Sequence, residues 1–291
     1  MIPLTDLPAL GLDPLVQMDE LRGMSIGAHQ VLIHKDHRWL LPLIHVAQQL
    51  GDLPTPANLV MFDHHHDAFE PQCLNEIVAL RAQGVTTAAL VDLCANHLST
   101  VDNDWLQAGM QLGLIKDAVL FGVDEWDREN FPMVLTDVAG QAHRIEIMWL
   151  PGSELSYQGS LSDLAKSYAL EQAWDILGWQ HHAEIGFRFA EEPKIVLDFD
   201  LDCFKLDWTD YTFPFPQEVF EREFLTPSRY HSVNGVTGRD FVLGLAAKAG
   251  LVTIATEPNH CGGQEKAQHI LECVSKYVLT SPADGGAPDT T

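Results

Sequence analysis

Apolar residues in this chain come in short blocks that run up to a polar or charged end. The blocks are "QVLIH" (30–34), "NLVMFD" (58–63), "TAALVD" (87–92), "DAVLFGVD" (117–124), "RIEIMWL" (144–150), "KIVLDFD" (194–200) and "LVTIAT" (251–256). They are too short for helices and rich in Val, Ile and Leu, which predicts strands buried on both faces. Between most of them lie stretches with helical spacing. "RWLLPLIHVAQQL" (38–50) is closed by Gly51, "RDFVLGLAAKA" (239–249) by Gly250, and "QEKAQHILECVSKYVL" (264–279) is the last. Strands alternating with helices predict a three-layer α/β/α sandwich around a mostly parallel sheet. The expected organisation is a single domain over 1–280, with a helical insertion near 153–192 where no strand pattern occurs. The tail "SPADGGAPDTT" (281–291) is too poor in apolar residues to order. Trp126, Trp174 and Trp179 read as core residues.

In sheets of this kind ligands gather where loops leave the carboxyl ends of the strands. Four polar clusters follow four of the apolar blocks in that way: "HKDHRW" after "QVLIH", "DHHHD" at the end of "NLVMFD", "DFDLD" in "KIVLDFD", and "TEPNH" after "LVTIAT". Extended chain has a side-chain period of two. That period places Asp63, His65 and Asp67 on one side of "DHHHD", with His64 and His66 on the other, and aligns Asp198, Asp200 and Asp202. Carboxylates crowded at a buried strand end repel one another and lose hydration, so a cation is needed to compensate. A wet strand end with acids acting as helix caps is the plainer alternative. With His37 the set becomes two imidazoles and four carboxylates: His37, Asp63, His65, Asp67, Asp200 and Asp202. This is too many ligands for one tetrahedral zinc and poor in sulfur. It suits two divalent ions sharing carboxylates, with oxygen-rich ligation favouring manganese.

Charge and composition narrow the partners. Forty-one acidic residues against 17 basic give a formal net charge of −24, which disfavours nucleic acid and anionic membrane surfaces and suits a cationic ligand or plain solubility. The hydrophobic share of 46% supports a large core. Cys73, Cys94, Cys203, Cys261 and Cys273 are scattered and never paired as C-x-x-C, so neither a disulfide framework nor a zinc ribbon is expected and a reducing cytoplasm is. The start, "MIPLTDLPALGLDPL", lacks the basic-then-apolar pattern of a signal peptide. The most apolar long stretch, 241–256, contains Lys248 and Gly250 and reads as helix, turn and strand.

The order Asp-His, D-x-H-x-D, D-x-D and a late glutamate resembles the arginase (ureohydrolase) superfamily, over residues 36–257. The resemblance implies an arginase/deacetylase-like sandwich with a two-manganese site that hydrolyses guanidino groups. It implies metal ligation by His37, Asp63, His65, Asp67, Asp200 and Asp202, proton handling by Asp67, and a pairing of Glu257 with the substrate guanidinium. Departures narrow the substrate. "IHK" replaces the glycines usual before Asp-His, and "CFKLDW" follows the D-x-D pair. "AFEPQCLNEIV" follows Asp67 in place of the Asn-rich and His-Gly segments that hold the charged ends of free arginine. "FDHHHDA", "DFDLDCF", "TEPNHCGG" and "DNDW" are similar to a divergent branch containing peptide arginases, which turn arginine within ribosomally made precursor peptides into ornithine.

The expectation is therefore a two-manganese hydrolase releasing urea from an arginine-containing precursor peptide. The rivals are a hydrolase of a small guanidino compound, an acyl-lysine deacetylase of the same fold using one zinc, and a non-catalytic metal-dependent peptide-binding protein. His97 is a candidate proton shuttle, and His64 and His66 candidates to orient the ligands. His260, Asp102 and Asp104 are candidate substrate contacts, although "DNDW" before an apolar stretch also reads as a helix N-cap. Oligomeric state is not legible in the sequence.

Overall fold

A computed structural model of the chain describes residues 10–123, 132–148, 194–208, 211–226 and 237–281. The expected insertion at 153–192, the tail beyond Ser281, and Trp126, Trp174 and Trp179 lie outside these residues. The strands are β1 (Leu21–Ile26), β2 (His29–His34), β3 (Ala57–Phe62), β4 (Ile115–Phe121), β5 (Met133–Thr136), β6 (Ala142–Met148), β7 (Ile195–Asp200), β8 (Lys205–Trp208), β9 (Tyr211–Pro214) and β10 (Ala249–Ala255). The helices are α1 (Asp13–Gln17), α2 (Leu40–Gln49), α3 (Leu74–Gln83), α4 (Thr87–Asn96), α5 (Trp105–Gln111), α6 (Gln217–Phe220), α7 (Gly238–Ala246) and α8 (Gln264–Cys273).

Among the described residues one eight-stranded sheet runs in the order β1-β2-β10-β7-β3-β4-β6-β5. Its six inner strands are parallel, and β1 and β5 close the edges antiparallel to β2 and β6. Alternate residues of each strand feed opposite faces. Val60, Phe62, Leu197, Phe199 and Ile254 pack on one side against Phe241, Val242 and Leu245 of α7 and Ile270 and Leu271 of α8. Leu59, Met61, Val196 and Leu251 pack on the other against α2, α4 and α5 through Leu40, Ile44, Leu90 and Trp105. Helices therefore cover both faces, as expected for continuous apolar strands. No helix among the described residues is long and apolar enough to cross a membrane.

Two readings are corrected, and one strand is added. "TAALVD" is helix α4, because the Thr86 hydroxyl accepts a hydrogen bond from Ala89 N at 3.3 Å and caps it. A short apolar run does not tell strand from buried helix, and Leu90, Val91, Leu93 and Cys94 bury one helical face. Gly250 does not close a helix: α7 ends at Ala246, and Gly250 sits inside β10 at a register shift. A Cβ on Gly250 would overlap the Asp52 carbonyl oxygen. Strand β1, "LRGMSI", was not expected, since four of its six residues face solvent on an edge and carry no apolar alternation. Gly51, by contrast, does close α2, at φ 74°.

Candidate metal centre

The strands that end on the four polar clusters are neighbours: β2, β10, β7 and β3 lie side by side and parallel. Their carboxyl ends therefore bring His37, Glu257, Asp200, Asp202 and the 63–67 segment to one place. His37 opens the 3-10 turn His37–Trp39 after β2 and is fully buried. Its Nδ1 faces Asp67 Oδ2 at 3.1 Å and Asp63 Oδ2 and Asp200 Oδ2 at 3.3 Å each. Its Nε2 lies 2.6 Å from Asp198 Oδ2. With Nε2–H donated to Asp198, Nδ1 faces the three carboxylates and must either carry a proton for them or offer its lone pair to a cation held among them.

Asp198 is the functional residue that the sequence reading placed on the right face and left without a role. It is buried, accepts from Thr253 Oγ1 at 2.5 Å, and has His34 Nε2 at 3.6 Å. Burial works against its ionisation, yet the charge and hydrogen bond of His37, with the His34 ring beside it, hold it below the usual carboxylate range. The signal was in "DFDLD": a third aspartate on the ligand face, one register earlier and deeper in the strand, can only meet something from a neighbouring element.

The convergence of "DHHHD" and "DFDLD" is real, but extended chain does not cause it. His65 N donates to Asp63 Oδ1 at 2.7 Å, and Asp202 N donates to Asp200 Oδ1 at 2.9 Å. Each first aspartate thus folds the chain back over itself in an Asx-type turn. Asp202 accordingly sits in a 3-10 turn, Leu201–Phe204. Asp67 adopts φ 48° and Glu257 φ 32°, left-handed backbone that non-glycine residues avoid. Asp67 is braced by α5, whose Trp105 Nε1 donates to its Oδ2 at 2.7 Å and whose Leu106 N donates to its carbonyl at 3.2 Å. The leftover histidines serve the loop. His66 Nδ1 accepts from Ala68 N at 3.0 Å, and His64 N donates to Asp202 Oδ1 at 3.3 Å.

Donor atoms lie within 4.8 Å of one another in four overlapping groups: His37, Asp63 and Asp67; His37, Asp200 and Glu257; Asp63, Asp200 and Asp202; and His65, Asp202 and His260. Asp63 and Asp200 join the His37 end to the Asp202 end. Their electrostatics suit a cation. His37 Nδ1, Asp63 Oδ2 and Asp202 Oδ2 are buried without a hydrogen bond. Burial, then Asp67 and Asp200, push Asp63 well up; burial and Asp202 raise Asp200 to about 7; burial and Asp200 raise Glu257 to about 11. Asp202, whose carboxylate raises His65 to about 10, is itself held low against burial by His65 and by Lys205, 3.9 Å away. Burial would lower His37, but Asp198 and the other carboxylates raise it.

His97, Asp102 and Asp104 fall outside this group. His97 follows α4, a helix rather than a strand, and its Nε2 faces Asp92 Oδ2 at 3.7 Å. Asp102 and Asp104 are buried: Asp102 lies 3.4 Å from Arg38 Nη1, and both oxygens of Asp104 accept from Ser99 N. They tie the 99–104 loop together rather than facing a ligand, and Asp104 stands at the N-cap of α5 without capping it through its side chain. Glu257 Oε1 accepts from His37 N at 3.0 Å, and His260 Nε2 lies 3.8 Å from Glu257 Oε2.

No protein-family model matches the chain, and no curated protein matches it.

Proposed function

We propose that this centre holds two divalent ions, manganese by its ligands, and hydrolyses the guanidino group of arginine carried in a peptide, giving ornithine and urea. The observation that carries the reading is a charge imbalance. Asp63, Asp67, Asp198, Asp200, Asp202 and Glu257 are six buried carboxylates, and among the described residues Lys205 is the lysine or arginine that reaches them. Carboxyls buried this densely either hold protons, as the raised Asp63, Asp200 and Glu257 do, or ionise against bound cations. With all six ionised and both imidazoles neutral, two dications and Lys205 would leave one negative charge, which a single cationic substrate group would neutralise.

His37, Asp63, Asp67 and Asp200 would hold one ion, and His65 and Asp202, with Asp63 and Asp200 shared, the other. When bound, such a pair supplies Lewis acidity and a nucleophile from water at neutral pH. The chain's own residues do the rest. Asp198 fixes the His37 ring. Trp105 holds one oxygen of Asp67, setting the carboxylate that takes the proton during attack on the guanidinium carbon. Glu257, buried and with no lysine or arginine against it among the described residues, binds the guanidinium and offsets its repulsion from the ions.

The side chains of His65 and His260 are 42% and 38% exposed, so the centre opens on that side. The segment after Asp67 carries Phe69 and Glu70 outward. "AFEPQCLNEIV" has no lysine or arginine for an α-carboxylate, which favours arginine within a chain over the free amino acid. The protein, loaded with Mn²⁺, should remove about 42 Da from an arginine-containing peptide and release urea. Faster urea release from free arginine at equal guanidino concentration would reject the peptide assignment. No release from either by fully loaded protein would reject the hydrolase.

A further inference from the structure

The two ends of the centre differ in burial and in chemistry. The His37 end is sealed: the His37 ring and the Asp63 side chain have no exposure, and one imidazole sits among Asp63, Asp67 and Asp200. The His65 end faces outward and gathers nitrogen. His65 Nδ1 lies 3.0 Å from Asp202 Oδ2, an oxygen that is buried without a hydrogen bond. The His65 and His260 rings meet edge to face, centroids 5.6 Å apart at 75°. One donor atom each from His65, Asp202 and His260 falls within 4.8 Å of the others.

His260 reaches this point through a built turn. Thr256 N and Glu257 N pair with the carbonyls of His34 and Lys35, which anchors the end of β10 to β2. The chain then reverses at Glu257, with φ 32°, and His260 N and Cys261 N both donate to the Glu257 carbonyl, at 2.9 and 3.0 Å. The buried Cys261 pins the turn, its Sγ donating to the Thr256 carbonyl at 3.4 Å. One turn thereby presents two side chains to the centre, Glu257 towards His37 and His260 towards His65.

We infer that His260 is a ligand of the outer ion, completing a His65–Asp202–His260 set. The inference rests on the two-ion reading above and gives the two ions unlike shells. Carboxylate-rich ligation suits manganese, whereas a pair of imidazoles favours ions later in the first-row series, such as cobalt or zinc. The outer ion is therefore the exchangeable and nitrogen-preferring one, and the inner ion the slow, oxygen-preferring one. Lys205, 3.9 Å from Asp202 Oδ2, is the competing occupant: a fixed cation there could stand in for the outer ion.

Calorimetric titration of the metal-free full chain separates these cases, run once with Mn²⁺ and once with Co²⁺, whose visible absorption reports ligand change. Wild-type protein should take two equivalents of Co²⁺. In His260→Asn the weaker-held equivalent should lose at least about tenfold in affinity, with an altered cobalt spectrum, while the other keeps its affinity. The loss should be larger for Co²⁺ than for Mn²⁺. His260 is partly exposed, so the variant should fold, and unchanged binding of the inner equivalent verifies that it has. A single equivalent in wild type would overturn the inference and assign the Asp202 charge to Lys205. Two unchanged equivalents in His260→Asn would overturn it as well. Both outcomes are read without substrate, so a chain that binds its ions through His260 and releases no urea would count against the hydrolase alone.

Discussion

At the scale of single residues, the centre depends on groups that touch other groups. Asp198 touches His37 Nε2, and Thr253 touches Asp198. A carboxylate behind a ligating imidazole fixes the tautomer and raises ligand basicity. Asp198→Asn keeps the shape and removes the charge, so Mn²⁺ affinity at the inner end should fall roughly ten- to a hundredfold. An unaltered Mn²⁺ titration would reduce Asp198 to a buried polar residue with satisfied bonds. Glu257 makes the opposite prediction. Its carboxylate belongs to the substrate in the proposed function, so Glu257→Gln should retain both ions while catalytic efficiency drops by at least about a hundredfold, about 2.7 kcal/mol of transition-state stabilisation. Metal analysis showing a lost ion would make Glu257 a ligand, as its closeness to His37 and Asp200 allows.

At the scale of elements, strand order does the assembling. His37 and Glu257 are 220 residues apart in sequence, yet β2 and β10 are adjacent and parallel, and His37 N bonds Glu257 Oε1 directly. The position of β10 in turn depends on Gly250, where the Asp52 carbonyl leaves no room for a side chain. Gly250→Ala should force backbone to move and cost about 1–3 kcal/mol, read as a lower denaturant midpoint at unchanged slope. An unshifted midpoint would mean that the loop carrying Asp52 yields freely. The short helix α5 matters for the same reason as β10: it places Trp105 on Asp67 and against the His37 ring, at 4.6 Å between centroids.

At the scale of the whole molecule, the centre crowds carboxyls whose repulsion the proposed ions would relieve. In the metal-free protein Asp200, Asp63 and Glu257 have raised carboxyl pKa values, so each takes more stability away as pH climbs from its unfolded value, near 4, towards its folded one. His37 and His65 are raised too, and their contribution is present below about 6.5 and lost as pH rises towards their folded values. Asp198 and Asp202, held low, are already ionised above about pH 5 and add no slope there. Both live terms have the same sign: metal-free protein should lose stability from about pH 5 to about pH 9. Bound ions must displace those protons, so Mn²⁺ should release protons on binding and raise Tm most at the alkaline end. Thermal melts with Mn²⁺ and with a chelator across that range are the measurement. A Tm that ignores both pH and chelator would show that the carboxylates are balanced from within the chain.

Sequence alone determined the layers and the candidates. Continuous apolar blocks cannot leave a face to water, so a parallel sheet covered on both sides followed from composition and order, and each polar cluster was legible as a strand's carboxyl end. The candidate ligand types were legible because aspartates and histidines crowded at a buried strand end lose hydration and need compensation. What only the tertiary structure decided was adjacency and direction. No local pattern says that β2, β10, β7 and β3 are neighbours, since that order comes from how the connections between them pack. Nor does periodicity say that Asp63 and Asp200 turn their own loops, that Trp105 holds Asp67, or that Asp102 and Asp104 are taken up by Arg38 and Ser99. The Asp63, Asp200 and Asp104 bonds are local but compete with other turns the chain could make, while those of Trp105 and Arg38 join residues far apart; in both cases a buried polar group takes the partner that folding brings to it.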